Sequence, residues 1–374
     1  MGGSPDFSRA TTVRVLVLRW GRPLACAGYG MKRPIIWLLT FCLLSLSTSA
    51  PAQESKPLIH FGLQAAPQQI TVEELKDIWK EAEALGFDTL WVNDHLLPSV
   101  GPPDGANLDG WTTLAAMATL TSRVKIGALV TSNTFRYPAV LAKMATTVDH
   151  LSNGRLILGI GAGYLEREHQ AYGITLPPIK ERSERLEEAL QVITKLWTAE
   201  SPVSFKGHYY TLVDAPFMPK PLQRPHPPIM IGGIGEKRIL PLVARYAQMW
   251  NIGNLAPDQI AAKNKVLEEY CRKIGRNCAE IERSYLTPLY IKADPAEAQG
   301  FLEQVAKLRG LSVEQARKTI LLGDPAAIRQ QLQAYIDVGV THFIIALRRP
   351  GLYDREGLRL FAKEVMPAFR RHEG

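Results

Sequence analysis

From residue 59 onward the chain alternates short apolar runs with longer amphipathic ones. Residues 59–63 (IHFGL) read as a strand. Thr71 then offers a hydroxyl to cap "VEELKDIWKEAEALGF", where Leu75, Ile78, Trp79, Ala82 and Leu85 recur at helical spacing and Gly86 stops the run. The same alternation continues through strand-length apolar runs at 89–93, 124–131, 156–161, 229–231, 249–251, 285–291 and 342–346, each followed by helical periodicity. Two stretches break the rhythm. Residues 203–205 and 209–212 flank Lys206-Gly207-His208 and predict a small hairpin, and 296–322 predicts an inserted helical segment with one short apolar run.

Eight strand–helix units predict a single (β/α)8 TIM barrel with insertions over residues 53–374. An open doubly wound sheet fits less well, because its glycine fingerprint belongs on the first strand–helix turn and here the glycine-rich turn follows the fourth strand. In a barrel of this kind the C-terminal strand ends form the mouth where ligands bind. Residues that close a strand are therefore the ones to read for chemistry.

Residues 1–52 stand outside the alternation. Met31-Lys32-Arg33 is followed by a nearly unbroken apolar run over 35–46 and by small residues ending in Ala50-Pro51-Ala52. This layout predicts a secretory signal peptide starting at Met31 and cleaved after Ala52, and hence a periplasmic or secreted protein with no stable membrane span. A retained N-terminal membrane anchor is the alternative. No twin-arginine signal is present. Of the net charge of +8 over 374 residues, most leaves with this segment, which carries six basic residues against one acidic. No basic stripe remains, so nucleic acid is not an expected partner. Cys271 and Cys278 are the cysteines left after cleavage, and either a pair or two free thiols is open. No cluster of His, Cys and carboxylates has metal-ligand spacing along the chain, so no metal is expected.

The candidate chemistry lies at strand ends. "DTLWVNDHLLP" places Asn93, Asp94 and His95 where the second strand stops. If the two side chains meet, the carboxylate of Asp94 would favour the protonated imidazole of His95 and tune it for proton exchange. The plainer alternatives are an N-cap and a packed histidine. "GRLILGIGAGYLEREH" carries Gly159, Gly161 and Gly163, whose backbone can turn tightly and offer N–H groups to an anion, although G-x-G-x-G is not the dinucleotide fingerprint. "PPIMIGGIGEKR" repeats the arrangement at Gly232-Gly233, and two such strand ends suit a phosphate-bearing cofactor. In "KIGALVTSNTFRYP", Thr131, Ser132, Asn133 and Thr134 can bond the edge of a heterocycle or cap the next helix.

Taken together, "GFDTLWVNDHL", the stretch from "LDGWTTLAAMATLTSRVKIGALVTSNTFRYP" through "GRLILGIGAGYLEREHQAYG", "PKPLQRPHPPIMIGGIGE" and "GDPAAIRQQLQAYIDVGV" resemble the bacterial luciferase-like oxidoreductase family. The central stretch is most similar to the branch that uses the deazaflavin coenzyme F420; FMN is the alternative cofactor. The resemblance implies a barrel with the ring lying across the strand ends and Asp94 and His95 beside it, His95 handling a proton. It implies a non-prolyl cis peptide at Leu129–Val130 against the ring, with Thr131 and Ser132 following. It assigns Gly161, Ala162, Gly163, Tyr164, Gly232 and Gly233 to the phosphate side. The implied activity is hydride transfer to or from a small organic substrate. An FMN-dependent monooxygenase and a non-catalytic exported cofactor-binding protein are the alternatives, and a homodimer is compatible with each. Loops 97–108 and 296–322 are expected to shape the substrate pocket.

Overall fold

Eight parallel strands close on one another in the computed structural model, which describes residues 58–370 apart from 100, 101, 103, 292–294, 347, 350 and 351. The expected signal peptide, its start at Met31 and its cleavage site lie outside the described residues. The barrel strands are β1 (His60–Gln64), β2 (Thr89–Val92), β3 (Lys125–Ala128), β4 (Leu156–Gly161), β5 (Ile229–Gly232), β6 (Met249–Gly253), β7 (Glu282–Ile291) and β8 (His342–Ala346). Each pairs with the next, and β8 pairs with β1 in the register His60↔His342, which closes the ring. All eight expected strands are therefore present and the fold is the expected TIM barrel.

Side-chain alternation along each strand separates two cores. Trp91, Leu129, Ile157, Met230, Met249 and Ile344 fill the barrel interior. The opposite faces of the strands, with residues such as Phe61, Leu90, Ile126 and Phe343, pack against the surrounding helices. The first helix, Val72–Ala84, shows why these elements form where they do. Thr71 accepts from the Glu74 N–H while Glu74 accepts from the Thr71 N–H, and Leu75, Ile78, Trp79 and Ala82 turn one buried stripe to the strands.

The departures from expectation are local. The third expected strand, 124–131, is broken by the cis bond Leu129–Val130, after which Thr131–Ser132 resumes the pairing with β4 but not with β2. The helix expected over 236–246 is regular only over Leu240–Tyr246. The hairpin is present as Val203–Lys206 and Thr211–Ala215. The inserted segment folds as Pro295–Arg309, Val313–Arg317 and a strand, Leu321–Gly323, that adds to β7 outside the closed ring. Cys271 and Cys278 carry free thiols, so of the two open alternatives the unpaired one holds here. Among the described residues no helix is long and apolar enough to cross a membrane.

Candidate active site

The exit of β2 carries the first two groups, and they turn to different partners. Asp94, its side chain 1% exposed, receives a fork of hydrogen bonds from Arg136, at 2.6 Å from Nη1 and 3.0 Å from Nη2. Burial pushes the Asp94 carboxyl up, and Arg136 with the Thr131 hydroxyl opposes that shift. Thr131 in turn accepts from the Trp111 indole N–H at 2.7 Å. Asp94 thus ties the end of β2 to the loop after β3.

His95 meets a carboxylate, but it belongs to Glu168 rather than to its neighbour Asp94. Glu168 Oε1 and Oε2 lie 3.0 and 3.1 Å from His95 Nδ1, and Oε2 also accepts from the Leu96 N–H at 2.9 Å. Burial would push Glu168 up, yet the hydrogen bonds from His95 and from the backbone N–H groups of Leu96 and Leu97 hold it below its usual range. An ionised carboxylate only accepts, so Nδ1 carries the proton and donates it to Glu168. Nε2 is left with its lone pair, 3.4 Å from the Tyr164 hydroxyl, with the two rings edge to face at 5.7 Å. Tyr164, expected on the phosphate side, is 68% exposed and its side chain stands against His95.

The cis bond lies at Leu129–Val130, where the resemblance placed it. The neighbouring glycines have a packing reason to be glycine. A Cβ on Gly161 would fall 2.9 Å from Val130 Cγ2, and one on Gly232 would fall 3.0 Å from the same atom. Val130 therefore fills the space between the ends of β4 and β5. Gly163, at φ +82, adopts a left-handed turn beside the Ser132 and Thr134 hydroxyls. Gly233 does not offer a free N–H to an anion: that group donates to Asn251 O at 3.2 Å. A cationic group nearby is Arg182, whose Nη1 donates to Gly163 O and whose buried Nε–H has no partner among the described residues.

A chain of hydroxyls completes the rim. His169 Nδ1 is 2.7 Å from Leu165 O, which can only accept, so in the neutral ring Nε2 must accept. The Thr134 hydroxyl, 2.7 Å away, then donates to His169, and Ser132, 2.6 Å from Thr134, donates to Thr134. The lone pairs of Ser132 Oγ are left for another donor. Asn93 Oδ1 and Asn133 Oδ1, both buried, likewise lack hydrogen-bond partners among the described residues.

Asp94 and His95, Thr131 and Ser132, Gly161 to Tyr164, and Gly232 and Gly233 therefore leave the C-terminal ends of four neighbouring strands, β2 to β5, on one rim. Arg136, Glu168, His169 and Arg182 were not among the expected site residues. Glu168 and His169 do sit inside the quoted "YLEREH", directly after the glycine turn, so the signal was present but unread.

Residues 57–306 match the luciferase-like monooxygenase family. The F420-dependent glucose-6-phosphate dehydrogenase of Amycolatopsis mediterranei is 32% identical over 348 residues, covering 84% of this chain and 99% of its own length. The enzyme of the same description from Kineococcus radiotolerans is 30% identical over 345 residues, covering 83% and 97%. Among solved structures, an F420-dependent secondary alcohol dehydrogenase in complex with an F420-acetone adduct superposes with a TM-score of 0.75 at 23% identity, over 84% of this chain and 100% of that one. The monooxygenase RslO1 from Streptomyces bottropensis gives 0.71 at 21%, over 83% and 100%. At these identities the two structures speak to the fold. Fold and site together define an oxidoreductase barrel with its polar groups gathered on one rim. The chain belongs to the luciferase-like monooxygenase family.

Proposed function

We propose that the protein is a coenzyme F420-dependent oxidoreductase that moves hydride between the cofactor and a CH–OH carbon of a small organic substrate. The observation that carries this is the orientation of His95, whose Nδ1–H is fixed on Glu168 while Nε2 faces the rim that also carries Val130 and the hydroxyl chain. The curated relatives, named as F420-dependent dehydrogenases, supply the cofactor class.

The residues present fit such a cofactor. Ser132 Oγ, its proton directed to Thr134, keeps acceptor lone pairs for an N–H donor, which the edge of a deazaflavin provides. Arg182 brings a positive charge and a spare N–H to the turn at Gly163, where a phosphate tail would lie. Val130, wedged between Gly161 and Gly232, gives the ring a rigid apolar backing.

When bound, the deazaflavin supplies a two-electron hydride acceptor or donor. The chain supplies the rest. In the oxidising direction the substrate carbon gives up hydride and its hydroxyl gives up a proton as the C=O bond forms. His95 Nε2 accepts that proton, and Glu168 stabilises the resulting imidazolium through Nδ1–H. The reducing direction runs the same proton back. Asp94 and Arg136 hold the end of β2 in place and carry no proton in this scheme.

The second reading, an FMN-dependent monooxygenase, rests on the family description and on the RslO1 fold match. Equilibrium titration with oxidised F420 and with FMN separates the two: F420 is expected to bind at least about tenfold more tightly, about 1.4 kcal/mol, and the reverse order would move the protein to the monooxygenase reading. The leader pattern at 31–52 adds the proposal that the enzyme works in the periplasm or outside the cell. Recovery of the protein from the cytoplasm with residues 31–52 intact and no membrane association would overturn that part.

A further inference from the structure

We propose that His60, Glu282 and His342 form a binding site for a first-row divalent cation of the zinc type in the floor of the barrel, at the end opposite the rim described above. The three residues start β1, β7 and β8, the strands where the ring closes. Glu282 Oε1 lies 2.7 Å from His60 Nδ1 and 3.4 Å from His342 Nδ1, and the three potential ligand atoms all fall within 4.8 Å of one another. Ligand atoms around a tetrahedral zinc, with bonds of about 2.0–2.1 Å, stand about 3.3 Å apart, so side-chain shifts on the order of an ångström bring the three groups to that spacing.

The second observation is a buried nitrogen that faces the cluster without a well-formed hydrogen bond. The His342 side chain is 1% exposed, and its Nδ1, aimed at the cluster, has no hydrogen-bond partner among the described residues. Its other nitrogen is built in. Nε2 lies 2.8 Å from Thr89 Oγ1, which also accepts from the Trp91 indole N–H at 2.7 Å. With Nε2–H donating to the second lone pair of Thr89, Nδ1 presents its own lone pair to the cluster, the arrangement of a metal-bound histidine steadied from behind. Gly62 exists as glycine to admit this chain, since a Cβ there would fall 2.3 Å from Thr89 Oγ1 and 3.2 Å from His342 Nε2.

In that tautomer, without a cation, the lone pair faces a carboxylate oxygen already shared with His60; in the other, Thr89 O–H donates to Nε2 and Nδ1–H points at Glu282. A cation removes the conflict and uses all three groups. Two imidazoles and one carboxylate suit zinc and its neighbours better than magnesium or calcium, which favour all-oxygen shells. His60 and Glu282 side chains are 36% and 26% exposed, so the cluster is reached from solvent, from which a water would supply a fourth ligand. Asp88 and Lys125 are the charged neighbours whose fields reach His60, one of each sign. The site lies away from the rim chemistry and would act as a clasp across the closing seam of the barrel.

The test uses the full-length protein stripped with a chelator, then titrated with Zn2+ and separately with Co2+, whose visible absorption reports four- or five-coordinate nitrogen and oxygen ligands. One equivalent per chain is expected, with a Co2+ band and a higher melting temperature on adding Zn2+. His60→Ala, which alters a half-exposed side chain, and Glu282→Gln are each expected to weaken binding at least about a hundredfold and to abolish the melting shift, while His95→Ala binds as the parent does. Absence of a stoichiometric Co2+ band would overturn the proposal, as would equal binding in the parent and the His60→Ala and Glu282→Gln variants. Loss in His95→Ala with retention in His60→Ala would move the ion to the rim and overturn it as well.

Discussion

His95 Nδ1 and the Glu168 carboxylate, 73 positions apart in the chain, lie 3.0 Å apart across the mouth of the barrel. This pair fixes which imidazole nitrogen keeps its lone pair, and in the proposed mechanism that makes Glu168 a positioning residue for His95. Glu168→Gln keeps the shape but offers an amide that can donate as well as accept, so the tautomer is no longer imposed. Turnover is expected to fall at least about tenfold, about 1.4 kcal/mol of barrier, with cofactor affinity nearly unchanged. Glu168→Asp should recover part of the rate. A pH–rate profile identical in Glu168→Gln and the parent would reduce Glu168 to a packing role.

The same carboxylate carries a pH-dependent share of stability. Glu168 is held below its ordinary value of 4.5 when folded. The unfolded chain therefore takes up its proton first as pH falls. Its contribution is fully present above about pH 4.5 and is lost as pH drops through the lowered folded value. The melting-temperature gap between the parent and Glu168→Gln should narrow from about pH 4.5 toward about pH 3. Thermal melts across that range check the sign; a gap that widens on acidification contradicts it.

Asp94 and Arg136 make the converse prediction, in which structure rather than chemistry is lost. Arg136→Leu leaves a carboxylate 1% exposed without its counter-charge. A loss of about 3 kcal/mol in urea unfolding is expected. Adding Asp94→Asn should restore a large part of it, because the stranded charge is gone. Equal stability of the single and double variants would show that the fork contributes little.

Much of this was legible in the sequence, and the reasons differ by feature. Strands and helices have local periods, so the eight runs and the TIM barrel could be read from spacing alone. The rim residues at 94–95, 131–132, 161–164 and 232–233 were legible because a barrel places strand ends together. The partner of His95 was not. Asp94 is adjacent to His95, but consecutive residues leaving a strand point to opposite sides, so adjacency misled where the fold supplied Glu168. His60, Glu282 and His342 were invisible for a related reason: His60 and Glu282 are 222 positions apart, and only closure of the first strand on the last two brings them together.

Val130 and its two glycines offer a packing test. Gly161→Ala places a methyl 2.9 Å from Val130 Cγ2 and must displace it. F420 affinity is expected to fall about tenfold, about 1.4 kcal/mol, and Val130→Ala combined with Gly161→Ala should recover more than half of that loss. Binding measured by fluorescence titration on all three variants decides; an unaltered affinity in Gly161→Ala would remove Val130 from the ring's support.

Ser132 gives the finest-grained prediction. Its hydroxyl proton goes to Thr134, so only its lone pairs remain for a ligand. Ser132→Ala should lower cofactor affinity about fivefold, close to 1 kcal/mol for one hydrogen bond, and leave the melting temperature nearly where it was. A large fall in melting temperature with unchanged affinity would assign the hydroxyl to the scaffold.

The account is tested most directly by a crystal structure of the protein with F420 bound. It predicts the deazaflavin ring against Val130, its N–H edge on Ser132, and His95 Nε2 facing a substrate position within about 3–3.5 Å of the reacting atoms, with Nδ1 still on Glu168. A ring seated elsewhere on the barrel, or an imidazole turned so that Nε2 points to Glu168, would contradict it.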